Sequence, residues 1–302
     1  MANTKEIKDR IKSVRDTQKI TNAMYLIAST KLQKAKSELD QTRPYFSALQ
    51  GEIKRIFRTS AHVQSKYLYP EEGSATLNGT YGILVITADK GLAGAYNQNV
   101  IRQVQKMLAD HADTKLFVVG EYGRQFFLQH HIPIERSFLY TAQNPTMQRA
   151  REISAILLDF FDRRQLDKIF IVYTDLKSGM AEEARQTRLL PFHRAQFASG
   201  PEEAKVSESF EFQPSMTAVL DNLMPSYVSG FIYSALVDSF CSEQEARMTA
   251  MDSANENAQK ILDNLSTQYN RVRQGAITQE ITEVSAGAKA QRMKRMKEVS
   301  GT

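Results

Sequence analysis

The residues with the clearest potential for chemistry lie in the string TADKGLAGAYN, which directly overlaps the end of the apolar run GILVITA. A glycine turn between a strand and a helix can hold a phosphate group at the N-terminus of the helix. Here Gly91 and Gly94 are three residues apart, so the string meets neither the G-x-G-x-x-G pattern nor the P-loop pattern. The spacing favours a tight turn, with Asn97 or Asn99 capping the following helix.

The other reactive residue types show no catalytic spacing. The five histidines are His62, His111, His130, His131 and His193. None belongs to an H-E-x-x-H motif, and no G-x-S-x-G elbow occurs. His130 and His131 precede Ile132-Pro133 at a predicted helix end, where metal ligation is the less favoured alternative. The single cysteine, Cys241, lies in an apolar stretch typical of a core residue. We therefore expect no catalytic residue, no metal site and no cofactor.

The middle of the chain alternates between short apolar runs and amphipathic segments. The runs Gly82–Ala88, Leu116–Gly120 and Ile169–Tyr173 predict buried strands, and Gln98–Leu108 and Thr146–Arg163 predict helices between them. This alternation indicates βαβ units and a small, mainly parallel sheet. The segments TRLLPF near Leu189 and SFEF near Phe210 lie beside prolines, so we expect them to be edge or hairpin strands.

Long helices are predicted at both ends of the chain. Phe231–Gln274 contains no glycine or proline, and a helix of that length reaches roughly 65 Å, more than an ordinary domain is wide. Met1–Arg43 also lacks both residues. Two such helices most simply pair as an antiparallel coiled coil. The small or apolar residues at helical spacing are Ile7, Ile11, Val14, Thr21, Met24, Ala28, Leu32 and Ala35, with Ala246, Ala250, Ala254 and Ala258 in the second helix.

Composition excludes several classes of protein. The chain has 302 residues, 42% hydrophobic and 24% charged, which suits one α/β core with helical extensions. No apolar run approaches the ~18 residues of a transmembrane helix, and the charges from Lys5 onward do not resemble a signal or transit peptide. The net charge is +5, but basic residues are spread among acidic ones and tryptophan is absent. We therefore expect no nucleic-acid binding, and the lone cysteine favours a reducing compartment.

Three strings resemble one family. The C-terminal SEQEARMTAMDSANENA, followed by YNRVRQ and ITQEITEVSAGAKA, resembles the gamma subunit of F-type ATP synthases, the central rotor stalk. The family's signature of Ile or Val, Thr, two spaced acids and Gly-Ala is matched by Ile277, Thr278, Glu280, Glu283, Gly287 and Ala288. The strings KEIKDRIKSVRDTQKITNAMYLIASTKLQKAK and TADKGLAGAYN resemble the family's opening helix and first central loop, in the expected order.

The resemblance implies an α/β fold in which the N- and C-terminal helices form a long antiparallel coiled coil with an inserted Rossmann-like α/β domain. The corresponding divisions are an N-terminal coiled-coil helix at 1–60, a linker at 61–80, a central α/β domain at 81–215, a C-terminal coiled-coil helix at 216–290 and a basic tail at 291–302.

The resemblance also implies a function. The chain would be the central rotary shaft that couples ion flow through the membrane ring to ATP synthesis or hydrolysis in the catalytic head, without being catalytic itself. The implied partners are the alpha and beta subunits of the head, the epsilon subunit and the membrane c-ring. The implied location is the cytoplasmic side of a bacterial cell membrane, as a peripheral subunit with no direct membrane insertion.

Functional residues follow from the same resemblance. Met24 aligns with the family methionine near the lever segment of the catalytic subunits. Arg273, Gln274, Thr278 and Glu280 align with positions that hydrogen-bond the loops around the upper shaft. For each, the structural alternative is a solvated helix face.

This chain departs from the family in two places. Gly275 stands where alanine is usual, which costs about 1 kcal/mol of helix stability at an exposed position. Family members typically stop near Ala290, yet QRMKRMKEVSGT continues here with Arg292, Lys294, Arg295 and Lys297. We expect a frayed, solvated terminus, the alternative being a longer shaft that influences hydrolysis through its charge.

Two other classes of protein stay open on the residues alone. An α/β nucleotide-binding enzyme with helical dimerisation arms would bind or turn over a nucleotide as a purified chain. A coiled-coil scaffold is less favoured because the chain lacks a sustained heptad with charges at the flanking positions.

Overall fold

The computed structural model describes residues 4–59, 65–68, 79–139, 141–175, 184–193 and 212–299. The chain divides into two units, one formed by Met1–Leu26 with Met251–Thr302 and the other by Ile27–Ala250. Two long helices run through these ranges, α1 (Thr4–Thr59) and α5 (Met216–Val299).

Both long helices exceed the stretches that lack glycine and proline. Helix α1 continues past Pro44, and α5 begins before Pro225. We expected α5 to fray after Ala290, but it stays helical to Val299. The physical reason lies in the composition of this stretch, since lysine, arginine, methionine, glutamine and glutamate are all good helix formers.

In the first unit, the described parts of α1 and α5 form an antiparallel pair. The Gln18 side-chain amide donates to Gln259 Oε1 at 3.4 Å, and the Thr21 hydroxyl donates to Asn255 Oδ1. The buried apolar side chains of this unit are Ile7, Met251, Ala258, Leu262 and Leu265. The predicted antiparallel pairing of the terminal helices is therefore confirmed.

The second unit is built on a five-stranded sheet. Its strands are β1 (Tyr81–Ile86), β2 (Thr114–Val119), β3 (Arg136–Phe138), β4 (Lys168–Thr174) and β5 (Ala184–Leu190). They lie in the order β3-β2-β1-β4-β5, with β1 to β4 parallel and β5 antiparallel at one edge. The three predicted buried strands are confirmed, and the segment TRLLPF overlaps the expected edge strand, β5.

Three shorter helices cover this sheet. They are α2 (Tyr96–Asp110), α3 (Glu121–Gln129) and α4 (Met147–Asp162). Helices α2 and α4 confirm the two predicted helices, whereas α3 and β3 were not predicted. Strand β3 has only three residues, with no buried side chain to set a pattern. The segment SFEF lies outside the described residues except for Phe212, as does most of the linker at 61–80.

Apolar side chains form a core on each face of the sheet. On one face, Val100 and Val104 of α2 pack with Ile83 and Val85 of β1. On the other face, α4 and the parts of α1 and α5 in this unit share a core with β1, β2 and β4. The fully buried Ile53 of α1 belongs to this second core. The sheet therefore has helices on both faces, as a Rossmann-like domain requires.

Close approach of α1 and α5 in this unit depends on a glycine. A Cβ atom added at Gly230 of α5 would overlap the ring of Phe46 of α1. The Phe46 ring also packs near Tyr233, with 6.2 Å between the ring centroids. Glycine at this position therefore lets an aromatic ring lie directly against the helix backbone.

Candidate functional site

The C-terminal part of α5 is uncovered along its whole circumference. Every residue from Arg273 to Met293 is exposed. This stretch includes Ile281 and Val284, whose exposed fractions are 62% and 72%. Large apolar side chains exposed in series mark surfaces that bind other molecules. The described residues of the chain leave this part of the helix uncovered.

The exposed stretch has two chemically different faces. Arg273, Ile277, Glu280 and Val284 share one face, because their spacing follows the helical repeat. Over residues 273–286 the opposite face carries small or uncharged residues, among them Gly275, Gln279 and Thr282. A surrounding protein therefore meets an apolar and charged surface on one side and a small, polar surface on the other.

The predicted contact residues at the C-terminal end lie together on this stretch. The Thr278 hydroxyl donates to the Gln274 carbonyl at 2.9 Å, so it is satisfied within the helix. Arg273 and Glu280 are exposed and form no ion pair among the residues that the structure describes. Their charged groups, and the Gln274 amide, are accessible to partners.

Met24 lies at a different level of the helix pair. The contacts of Gln18 with Gln259 and of Thr21 with Asn255 set the pairing register. In that register Met24 lies about 20 residues below the level of Arg273, or roughly 30 Å along the axis. The structure therefore does not bring Met24 together with the other predicted contact residues. Its side chain is half-buried.

Sequence reasoning missed three exposed apolar residues of α1. Ile20, Leu26 and Ile27 have exposed fractions of 61%, 57% and 56%. They lie off the buried stripe that the helical spacing identified, to which the buried Ala28 and Leu32 belong. Large apolar residues outside a helix's buried stripe are the signal that could have found them.

The glycine turn after β1 differs from its prediction. The residue before α2 is Ala95, which makes no side-chain cap. Asn97 Oδ1 instead accepts a hydrogen bond of 2.9 Å from the Ala88 backbone N–H. The capping role predicted for Asn97 or Asn99 is therefore wrong. Leu92, in the same turn, is 66% exposed and has a φ of 61°, which is unfavourable for a residue with a side chain.

The other candidate residues are structural. Cys241 is fully buried, and burial raises the pKa of its thiol to about 12, so it is a core residue and not a nucleophile. His130 follows α3 directly, as the predicted helix end requires, and its Nδ1 lies 2.8 Å from the Phe126 carbonyl oxygen. Within the described ranges, no three His, Cys, Asp or Glu side chains form a possible metal site.

Gly275 offers a direct measure of helix stability on the uncovered stretch. An added Cβ atom would meet no atom within 4 Å. Replacing Gly275 with alanine should therefore raise the stability of this part of α5 by about 1 kcal/mol, through backbone entropy alone. Slower amide exchange around residue 275 in the isolated chain would show the gain. Unchanged or faster exchange would contradict it.

The fold and the uncovered helix are typical of a class of protein, a subunit whose exposed helix binds other chains. A family model described as ATP synthase matches residues 3–291. The ATP synthase gamma chain of Ruminiclostridium cellulolyticum is 39% identical over 291 residues, covering 95% of this chain and 98% of that one. The gamma chain of Caldanaerobacter subterraneus subsp. tengcongensis is 42% identical over 292 residues, covering 94% and 98%.

A solved structure is also similar. The chain matches the central stalk of the mitochondrial ATP synthase of Tetrahymena thermophila with a TM-score of 0.60 and 25% identity, covering 78% of this chain and 99% of that one. This chain belongs to the ATP synthase gamma chain family. It is a non-catalytic subunit of ATP synthase and part of the central stalk. The interpretations as a nucleotide-binding enzyme and as a coiled-coil scaffold are therefore wrong.

The family is part of a membrane-associated complex. In the described parts of the chain, no helix is long and apolar enough to cross a bilayer.

Proposed function

We propose that this chain is the shaft that turns inside the catalytic head, with Arg273–Met293 enclosed by the alpha and beta subunits. The observation that carries this proposal is the complete exposure of that stretch, including four large apolar side chains: Ile277, Ile281, Val284 and Met293. Leaving such side chains in water forgoes roughly 1.5–3 kcal/mol for each. A surrounding ring of subunits would bury them on every side.

The mechanism that these residues support is contact with a different helix face in each rotational position. A rotating shaft with uniform sides could not distinguish the catalytic subunits around it. Here one face carries Arg273, Ile277 and Glu280, whereas the opposite face carries Gly275 and Gln279. A catalytic subunit facing the first side would form charged hydrogen bonds that it loses when the second side arrives. Such differential contact is what shifts a conformational equilibrium.

Membership of the family supports a proposal for the remaining partners. The α/β domain would rest on the c-ring and bind the epsilon subunit, at the cytoplasmic side of a bacterial membrane. Met24, together with the exposed Ile20 and Leu26, would meet the catalytic subunits at a lower level than Arg273. With a separation of roughly 30 Å along the helix pair, these contacts would lie on two distinct zones of the head.

Amide exchange before and after assembly tests the proposal. In the isolated chain, amides of residues 273–293 should exchange fast, because no tertiary contact covers them. After assembly with alpha and beta subunits they should exchange at least about 100-fold more slowly, equivalent to about 2.7 kcal/mol of protection. Amides of β1, buried in both states, serve as the internal control. Exchange at 273–293 that stays fast in a purified, active complex would overturn the proposal.

A further inference from the structure

The sheet has a position where related sheets bind ligands. Open α/β sheets bind ligands beyond the carboxyl ends of their strands, at the point where the strand order reverses. In the order β3-β2-β1-β4-β5, this point lies between β1 and β4, because the chain moves outward from β1 to β3 and then returns to β4. The crevice is bordered by the turn after β1 and by Thr174 at the end of β4.

Helix α5 fills this crevice. The Thr174 N–H donates to Ser239 Oγ at 3.3 Å, and the Ser242 hydroxyl lies 3.5 Å from the Thr174 carbonyl oxygen. Ala246 packs against Ala88, Ala93 and Tyr96 on the β1 side. The Tyr96 hydroxyl, which is fully buried, is hydrogen-bonded to Ser239. One segment of α5 therefore contacts both β4 and the turn after β1.

Arg247 completes the contact with the glycine turn. Its Nη2 donates to the Gly91 carbonyl at 3.1 Å, while Nη1 contacts Glu243 Oε1 at 2.7 Å and Gln244 Oε1 at 3.2 Å. These three residues of α5 are buried, with exposed fractions of 9% or less. A phosphate site would need N–H groups directed at an anion. This turn instead directs a carbonyl oxygen at an internal cation.

The charges around Arg247 are balanced within the chain. Burial raises the pKa of Glu243, and the Arg247 guanidinium opposes that rise. The charge of Asp89, from the turn, also raises the pKa of Glu243, whereas the charge of Lys31, from α1, lowers it. The cluster thus contains two cations and two carboxylates. Asp89 Oδ1 in addition accepts the N–H of Glu121, which links the turn to the start of α3.

We infer that residues 239–247 of α5 are a built-in occupant of the sheet's ligand crevice, in which Arg247 is the positioning residue for the turn Asp89–Ala95. Protein side chains therefore occupy the space between Thr174 and the turn where a nucleotide would bind. The turn, with its exposed Leu92, is fixed to the long helix and moves with it. That this attachment would turn the α/β domain together with the shaft rests on the proposed function.

Amide exchange on the isolated full-length chain tests the attachment. The Ala88, Tyr96 and Glu121 amides each donate a hydrogen bond within or to the turn. Replacing Arg247 with glutamine should speed exchange of these three amides by about tenfold to a hundredfold, the range expected for loss of a charge-assisted hydrogen bond. The amides of β1 and β2 should not change. The control is Lys260→Gln, which removes an exposed cation from the same helix. The inference would be overturned if the turn amides exchanged at the same rate in Arg247→Gln and in Lys260→Gln. It would also be overturned if Arg247→Gln sped exchange of the sheet amides as much as that of the turn amides.

Two further measurements sharpen the test. Arg247→Lys should give an intermediate effect, since one ammonium group replaces a guanidinium that contacts three acceptors. If Arg247→Lys instead loses protection fully, the contact of one side chain with all three acceptors is not what holds the turn. Adding ADP to the wild-type chain should leave exchange in residues 87–97 unchanged, and protection there would overturn the occupied-crevice inference. Both measurements use the isolated chain, whereas the proposed function is tested in the assembled complex. Failure of one can therefore be told apart from failure of the other.

Discussion

Replacing Arg273 and Gln274 together with alanine should lower ATP hydrolysis by the assembled head at least about tenfold. Both side chains are exposed in the isolated chain, so their hydrogen-bond partners would belong to other subunits. Losing one hydrogen bond to a charged group typically costs about 1.5–3 kcal/mol, and about 1.4 kcal/mol corresponds to a factor of ten. Steady-state hydrolysis by the purified complex is the measurement.

The same variant should fold like the wild-type chain, because neither side chain is buried. Its circular dichroism and thermal midpoint should match those of the wild type. Lys260→Ala, which removes an exposed charge lower on the same helix, is the matched control and should retain full turnover. If the assembled double variant hydrolyses ATP at the wild-type rate, Arg273 and Gln274 have no part in coupling.

Replacing Gly230 with alanine should lower the free energy of unfolding by about 1–3 kcal/mol, the usual range for overpacking. The new Cβ atom would overlap the Phe46 ring, which lies between α1 and α5 of the same unit. Alanine otherwise stabilises a helix by about 1 kcal/mol relative to glycine. The clash therefore decides the sign. Urea unfolding of the isolated chain measures it.

A second background isolates the cause. In a Phe46→Ala chain the ring is gone, so Gly230→Ala should become neutral or stabilising by about 0.5–1 kcal/mol. Gly275→Ala, where the added Cβ atom meets open space, should be stabilising in both backgrounds. A Gly230→Ala effect of the same size with and without Phe46 would assign the loss to something other than this contact.

Local patterns in the sequence identified most of the secondary structure. Buried strands such as β1 and β4 are apolar runs, and α2 and α4 have clear amphipathic periodicity, so neighbouring residues alone suffice to predict them. Strand β3 has three residues and no buried side chain, so no periodicity could reveal it. The continuation of α5 past Ala290 is consistent with the good helix formers in that stretch, although the length of the family predicts an end near Ala290.

The proposed contact surface was also predicted only in part from the sequence. The RQGAIT string identified Arg273, Gln274 and Thr278 through resemblance, and the structure adds that this whole stretch is uncovered. Helical periodicity identifies which face of a helix is apolar. Whether that face is covered depends on which distant segments of the chain pack against it. Ile20 and Leu26 show the limit, since both are apolar residues in a predicted helix yet lie mostly in solvent.

By itself, the sequence determined the two long helices, the inserted α/β domain and the family, because these depend on local periodicity and short motifs. Only the tertiary structure decided the role of the glycine turn. Arg247 and Gly91 are 156 positions apart, and nothing local to either residue indicates their contact. The sequence left a phosphate cradle as a weak possibility, whereas folding places a buried arginine against the Gly91 carbonyl. Contacts between distant segments require the complete fold, since chain topology alone brings those segments together.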